Sequence, residues 1–294
     1  MNCFPKDVNP QKLLMQLKKI GWKISDLLKS YSQISSDQSE FRKSLKITNL
    51  DSGPVTNADL EVNDIILSGI KKNYPSQTWQ FLSEENKNIG EIYTKSDWVW
   101  IVDPLDGTKD FIKNTGEYAV HVALTFKKKP VLGLVILPSK DEMWIAIEGS
   151  HTWCENRNGA EICLAKPNYK SLEDLTIVTS RSHFHPELSN LLEKLKPAKV
   201  IGRGSVGYKV ASILRGESDM YITYSGPGES CPKDWDMAAP FSILKSAGGT
   251  ITDKYSKDLK FLQDNKFEQK DLIIASLNIN HESVCKEILD KFLN

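Results

Sequence analysis

Long apolar runs are missing from this 294-residue chain. No stretch approaches the roughly 20 residues that a bilayer-spanning helix needs. The opening Met1-Asn2-Cys3-Phe4-Pro5-Lys6-Asp7 lacks the apolar core of a signal peptide, and the closing Lys291-Phe292-Leu293-Asn294 carries no prenylation signal. Excess charge of either sign is missing too, since 38 lysines and arginines balance 38 aspartates and glutamates. That removes the broad basic field by which proteins hold duplex nucleic acid, so any anion must be gripped locally. Cysteine is scarce and scattered. Cys3, Cys154, Cys163, Cys231 and Cys285 form no CxxC pair and no Cys/His spacing suited to zinc. They read as free thiols in a reducing compartment. No Gly-Lys-Ser/Thr triplet occurs, which excludes a P-loop, and neither an internal repeat nor a low-complexity tract is visible. The expectation is a soluble cytoplasmic protein, monomer or homodimer, with no membrane and no nucleic-acid partner.

What is present reads as two halves. Leu13, Leu14, Leu17, Ile20, Ile24, Leu27 and Leu28 recur at helical spacing over 9–34, with Asn9-Pro10 as the cap. Residues 35–54 are polar and broken at Gly53-Pro54, which predicts a mobile loop. A second helix is predicted over 57–74, and strands over 78–82 and 98–102. Apolar runs at 118–126, 131–137 and 142–147 predict an antiparallel meander. Lys127-Lys128-Lys129-Pro130 then sits at a solvated hairpin tip. The second half alternates strands at 175–179, 198–201, 219–224, 249–252 and 271–275 with helices at 186–195, 205–215, 235–246 and 280–292. That is α/β grammar. A soft boundary near 160–174 divides an N-terminal α+β half, 1–165, from a C-terminal α/β half, 166–294, the two layered together.

The most informative feature is the acidic turn Asp103-Pro104-Leu105-Asp106-Gly107-Thr108, directly after the apolar strand Trp98-Val99-Trp100-Ile101-Val102. Two carboxylates three residues apart repel in a low-dielectric setting unless a cation lies between them. Pro104 presets a turn and Gly107 permits a tight one, so both acids can converge on one point. Hard oxygen donors at such a junction suit Mg²⁺. The plain alternative is an Asp-Pro turn with two solvated acids. Other acids have plain alternatives as well. Asp59 opens a helix, where it would favour the helix dipole. Glu84-Glu85 follows a short strand, where acids are commonly solvated. Asp234 or Asp236 would cap the next helix, and Thr108 would cap its own. Yet all of them fall at strand ends or helix starts, and two-metal phosphoryl hydrolysis needs this inventory.

Leu82-Ser83-Glu84-Glu85, Trp100 to Thr108, and Trp235-Asp236-Met237-Ala238-Ala239 with Ala247-Gly248-Gly249 occur in this order. Together they resemble the signatures of the lithium-sensitive, Mg²⁺-dependent inositol monophosphatase superfamily, from about residue 50 to the end. The resemblance implies an αβαβα layered sandwich of the α/β class. It implies that Glu84, Asp103, the Leu105 carbonyl, Asp106 and Asp236 bind two or three Mg²⁺ ions, and that Glu85 orients ligands or water. Asp59 and Thr108 would activate the attacking water, and the backbone after Gly107 would hold phosphate oxygens. Thr179-Ser180-Arg181-Ser182-His183 and Gly204-Ser205-Val206-Gly207-Tyr208-Lys209 are similar to the nucleotide-contacting segments of 3′(2′),5′-bisphosphate nucleotidases. On that match Ser180, His183, Ser205 and Lys209 would contact a small phosphorylated nucleotide. The plain alternatives are a loop residue at His183 and a solvated helix face at Lys209. Inositol monophosphates and inositol polyphosphates are the alternative substrates.

A rival remains. Gly202-Arg203-Gly204-Ser205-Val206-Gly207 fits G-x-G-x-x-G after a strand-like Lys199-Val200-Ile201, as in a dinucleotide-binding oxidoreductase. The acidic residue that should follow is not in place, since Asp219 comes too early, and the acidic cluster would be left without a purpose.

Overall fold

The structure, a computed structural model, describes residues 4–5, 7–33, 38–50, 53–85, 96–162, 164, 171–182, 185–263, 266–277 and 279–293. Helix α1 spans Pro10–Gln33, α2 spans Gln38–Ser44, and strands β1 (Thr48–Leu50) and β2 (Gly53–Val55) form a small hairpin. Then come α3 (Asn57–Asn73), β3 (Gln80–Ser83), β4 (Trp98–Asp106), α4 (Thr108–Ile112), β5 (Ala119–Phe126), β6 (Lys129–Leu137), β7 (Glu142–Ile147), β8 (Trp153–Asn156) and β9 (Glu161–Ile162). The chain continues through β10 (Thr176–Ser180), α5 (Pro186–Leu195), β11 (Lys199–Arg203), α6 (Val206–Leu214) and β12 (Met220–Thr223). It ends with α7 (Asp234–Ser246), β13 (Thr250–Asp253), β14 (Ile273–Ser276) and α8 (His281–Leu293).

Two sheets organise the molecule. One has seven strands in the order β3-β4-β5-β6-β7-β8-β9, parallel only between β3 and β4. The other has five, in the order β11-β10-β12-β14-β13, with β10 parallel to both neighbours. Strand alternation in the large sheet sends Trp100, Val102, Val120, Val122 and Leu124 toward α1 and α3, and Val99, Ile101, Ala119 and Ala123 toward α6 and α7. Helices α6 and α7 lie between the sheets, and α5 packs with α8 on the far face of the smaller one. The layers therefore run α, β, α, β, α. Every residue of α6 is buried, which is why its sequence is apolar nearly all round.

The local signals are placed as the chemistry requires. Asn9 Oδ1 accepts from Lys12 N at 3.0 Å and caps α1. Pro186 opens α5 behind His185, whose ring accepts from Glu187 N at 3.2 Å. Lys127 and Lys128 turn the β5–β6 hairpin with φ of 47° and 68°. The predicted loop over 35–54 is corrected by the structure: it holds α2 and the β1–β2 hairpin, anchored by buried Phe41 and Leu45. Cys154, Cys231 and Cys285 are free and buried, and Cys3 and Cys163 lie outside the described residues. Among the described residues, no helix is long and apolar enough to cross a membrane.

Candidate active site

Asp103 and Asp106 are an odd number of residues apart, so an unbroken strand would set them on opposite faces. The ladder slips between them: Asp103 pairs with His121, and Asp106 pairs with Ala119. Pro104 has no N–H to give a ladder and sits in the irregularity without loss. The extra residue turns Asp106 back to the face of Asp103, where the two carboxylates and His121 bring ligand-type atoms within 4.8 Å of one another. Leu105 points the opposite way and anchors the turn in the core under α1 and α3. The chain then reverses at Gly107, whose φ of 90° lies in the region that favours glycine.

Each acid is held in place. Asp103 is fully buried. Its Oδ1 accepts from Leu105 N at 3.0 Å, and its Oδ2 has no hydrogen-bond partner. Asp106 Oδ2 accepts from Ser205 Oγ at 2.5 Å and Gly207 N at 3.2 Å, so the start of α6 fixes it. Asp59 serves twice. Its Oδ2 closes a capping box with Thr56 N at 2.8 Å and Thr56 Oγ1 at 2.6 Å, and its Oδ1 lies 3.1 Å from the Thr108 hydroxyl. That hydroxyl is also 3.0 Å from the Leu105 carbonyl, and its single proton serves one acceptor at a time. Asp236 Oδ2 accepts from Lys233 N at 2.5 Å at the start of α7. Asp234 points elsewhere, accepting from Leu262 N at 2.6 Å and Gln269 Nε2 at 2.6 Å.

The electrostatics are lopsided. Burial, then the charges of Glu84, Asp106 and Asp236, push the Asp103 carboxyl well above the usual carboxylate range. Burial raises Asp59 against the pull of its Thr56 and Thr108 hydrogen bonds. Glu84 keeps surface open to the cleft, yet the enclosing protein, and then Asp236, Glu85, Asp59 and Asp106, drive it well upward. Burial and then Asp106 bring Asp236 up to about 7. Lys209 is buried, its Nζ donating to the Gly204 carbonyl, and burial pushes its ammonium down to about 8. One such lysine does not balance the acids. Oxygen donors crowded at the floor and wall of one cleft, one with an unpartnered buried atom, fit Mg²⁺.

A stability test follows. The folded protein holds protons on these carboxyls that the unfolded chain has released, so it binds more protons in this range. Stability without divalent ions should therefore fall as pH rises from about 4, the unfolded carboxylate value, through about 7, where Asp236 titrates. Excess Mg²⁺ should flatten or reverse the slope. Tm measured against pH in EDTA and in Mg²⁺ checks this, and identical profiles would contradict it.

A cleft of about 480 Å³ opens beside the acids. Glu84, Asp106, Gly107, Thr108 and Asp236 line it, together with Ser180, Ser205 and Lys209. Pro54 and Val55 of β2 form part of the rim. Glu85 is half-buried beside Glu84, its N–H 3.4 Å from Ser83 Oγ, and is not among the cleft-lining residues. His183 lies outside the described residues. The Ser205 hydroxyl is committed to Asp106 and also accepts from Tyr208 N at 3.1 Å as the cap of α6.

Two features escaped the sequence reading. His121 joins the acids across the ladder. Its signal was a lone polar residue inside Ala119-Val120-His121-Val122-Ala123. An ionic network also binds the halves: Arg181 pairs with Asp110 at 2.5 Å and with Glu117, and Arg203 pairs with Glu117 at 2.5 Å. Glu117 Oε2 further accepts from Gly204 N at 3.0 Å, and its carbonyl from Ser205 N at 3.0 Å. This explains the glycine-rich segment. A Cβ on Gly204 would press on the Glu117 carbonyl and lie 2.7 Å from the Asp110 carboxyl, and one on Gly207 would meet His121 and Val135. These glycines admit protein neighbours, which accounts for them without a bound pyrophosphate.

Comparison with known proteins gives the family and the fold. The family model described as the inositol monophosphatase family matches residues 9–291. The 3′(2′),5′-bisphosphate nucleotidase CysQ of Salmonella typhimurium is 34% identical over 220 residues, covering 74% of this chain and 83% of that protein. The same-named protein of Buchnera aphidicola is 34% identical over 201 residues, covering 68% of this chain and 71% of its own. Among solved structures, the extragenic suppressor protein suhB of Bartonella henselae superimposes with a TM-score of 0.74 at 25% identity, covering 96% of this chain and 98% of that one.

Proposed function

The chain belongs to the inositol monophosphatase family, and from that premise we propose that it is a 3′(2′),5′-bisphosphate nucleotidase, removing the 3′-phosphate of adenosine 3′,5′-bisphosphate to give AMP and phosphate. One observation carries the reading: Thr108, hydrogen-bonded to Asp59, lines one cleft with Glu84, Asp106, Asp236 and buried Lys209. Glu84, Asp103, the Leu105 carbonyl, Asp106 and Asp236 would hold two or three Mg²⁺ ions, with Glu85 orienting a ligand or water. Bound Mg²⁺ supplies acidity to a nearby water and neutralises charge on the phosphoryl oxygens.

The chain's own groups do the rest. The Thr108 hydroxyl points its proton at Asp59 Oδ1 and offers its lone pair to the attacking water. A proton leaving that water passes to Thr108 as Thr108 passes its own to Asp59. Burial raises the proton affinity of Asp59 and suits it to receive that proton. Attack is direct, with no covalent intermediate. The Gly107 and Thr108 backbone holds phosphate oxygens at the turn. Ser180, His183 and Lys209 contact the nucleotide. Ser205 acts through Asp106.

Lys209 is the specificity element. A buried ammonium at the cleft wall meets a second phosphate at close range. Lys209→Ala should raise KM for adenosine 3′,5′-bisphosphate at least about tenfold, as loss of a charge-assisted contact of about 1.5–3 kcal/mol implies. KM for a simple monophosphate should change little. Equal effects on both would count against the nucleotide assignment. The function itself is tested by phosphate release from adenosine 3′,5′-bisphosphate, its sulfated derivative, inositol 1,4-bisphosphate and inositol 1-phosphate, with Mg²⁺ and with added lithium. The first should give the highest kcat/KM, and lithium should inhibit. Preference for inositol 1-phosphate would move the assignment to the inositol monophosphatases.

A further inference from the structure

The His121 ring lies buried between two elements that carry acids of the cleft. Across the β4–β5 ladder it faces Asp103. Its Nε2 is 3.3 Å from Asp106 Oδ2. Its Nδ1 is 3.3 Å from the carbonyl of Trp235, the residue before Asp236. A carbonyl only accepts, so Nδ1 carries a proton and donates it there. Nε2, in a residue 1% exposed, has no hydrogen bond of good geometry. Buried polar atoms without partners are rare, and each calls for a reason. The ring has no room to swing away. A Cβ on Gly207 would run into Nε2 and lie 2.8 Å from Val135 Cγ1, so α6 presses directly on the imidazole. The bare backbone of Gly207 is therefore part of the arrangement.

We propose that His121 is a positioning residue for the divalent cations, wedged between Asp106 and the start of α7, where it donates to the Trp235 carbonyl, and so setting how tightly the site binds Mg²⁺. The inference rests on the Mg²⁺ reading above. Asp106 stands on β4 of the large sheet, whereas Asp236 stands on a helix between the sheets. A cation shared by the two needs their oxygens at a fixed spacing, and Mg²⁺ is exacting about geometry. A rigid ring that touches Asp106 at one end and the Trp235 carbonyl at the other, clamped by Gly207, provides that spacing. Groups that orient the side chains around a metal commonly set its affinity.

Mg²⁺ binding by calorimetry on the parent, His121→Leu and His121→Gln tests this, with Tm recorded in EDTA. Leucine fills the space without polar atoms, whereas the glutamine amide offers both a donor and an acceptor. His121→Leu should bind Mg²⁺ roughly 10- to 100-fold more weakly while keeping its metal-free Tm, and His121→Gln should recover most of the affinity. In the parent protein labelled with ¹⁵N-histidine, Mg²⁺ should shift the His121 ring nitrogens, and Asp106→Asn should remove the shift. A parent that binds no Mg²⁺ would overturn the Mg²⁺ reading and this inference together. A parent that binds Mg²⁺ and a leucine variant that binds it as tightly would overturn the role of His121 alone. Should the leucine variant not fold, the ring nitrogens of the parent decide, and resonances unmoved by Mg²⁺ would overturn the role.

Discussion

Asp103→Asn should lower phosphate release by about three orders of magnitude, equivalent to about 4 kcal/mol of transition-state stabilisation. The same substitution should leave the metal-free fold as stable as the parent or more so. The two effects have one cause. Asp103 is wholly buried, and its carboxyl is driven far above the ordinary range by burial and by three neighbouring acids. Without a cation this buried group resists ionisation at a cost to the fold, and asparagine removes that cost at nearly constant volume. The new amide still offers an oxygen to Leu105 N, the one hydrogen bond that Asp103 Oδ1 accepts there. With substrate present, the charge is what holds the cations. Activity and stability should therefore move in opposite directions, which a merely structural aspartate would not produce. Phosphate-release kinetics with Tm in EDTA check both. Turnover at the parent rate would refute the metal role, and a large drop in metal-free Tm would refute the claim that this charge is unbalanced.

Thr108→Val is the second large effect. Valine keeps the shape and removes only the hydroxyl that lies 3.1 Å from Asp59 Oδ1 and 3.0 Å from the Leu105 carbonyl. The expected loss is about 10²- to 10⁴-fold in kcat, the range for a positioned proton-transfer group. KM for adenosine 3′,5′-bisphosphate should move far less, because the hydroxyl acts on the water and the turn's backbone holds the phosphate. Asp59→Asn should resemble it in kcat, and should also weaken the cap of α3 that Asp59 shares with Thr56. A valine variant that loses affinity while kcat is retained would reassign Thr108 to binding.

The parts of this molecule legible in its sequence are those fixed by short-range chemistry. Pro186 behind His185 starts α5 and the chain leaves it at Lys196, so the span predicted over 186–195 is the one observed. The meander of β5, β6 and β7 is punctuated by Lys127-Lys128 and by Pro138 to Asp141. The acidic turn is compressed into six residues and declares itself. Where local signals are short, reading fails. Helix α2 has two turns, and its apolar anchors Phe41 and Leu45 look like isolated residues in polar sequence. Where a role is tertiary, local sequence is silent. Nothing near Glu117 shows that it will meet Arg181 and Arg203, because β10 and β11 deliver those arginines from the other half of the chain. Resemblance to the nucleotidases implies a nucleotide contact at Ser205, and its hydroxyl donates to Asp106. The same convergence gives the glycine-rich segment its meaning, since Gly204 and Gly207 face neighbours that only the folded chain supplies.

Crystals grown with Mn²⁺ in place of Mg²⁺, with anomalous diffraction collected at the manganese edge, would locate the cations. At least two anomalous peaks should lie in the cleft, at metal–oxygen bonding distance from Glu84, Asp103, Asp106 and Asp236. Crystals soaked at activating Mn²⁺ concentrations that show no peak among these four side chains would contradict the Mg²⁺ reading.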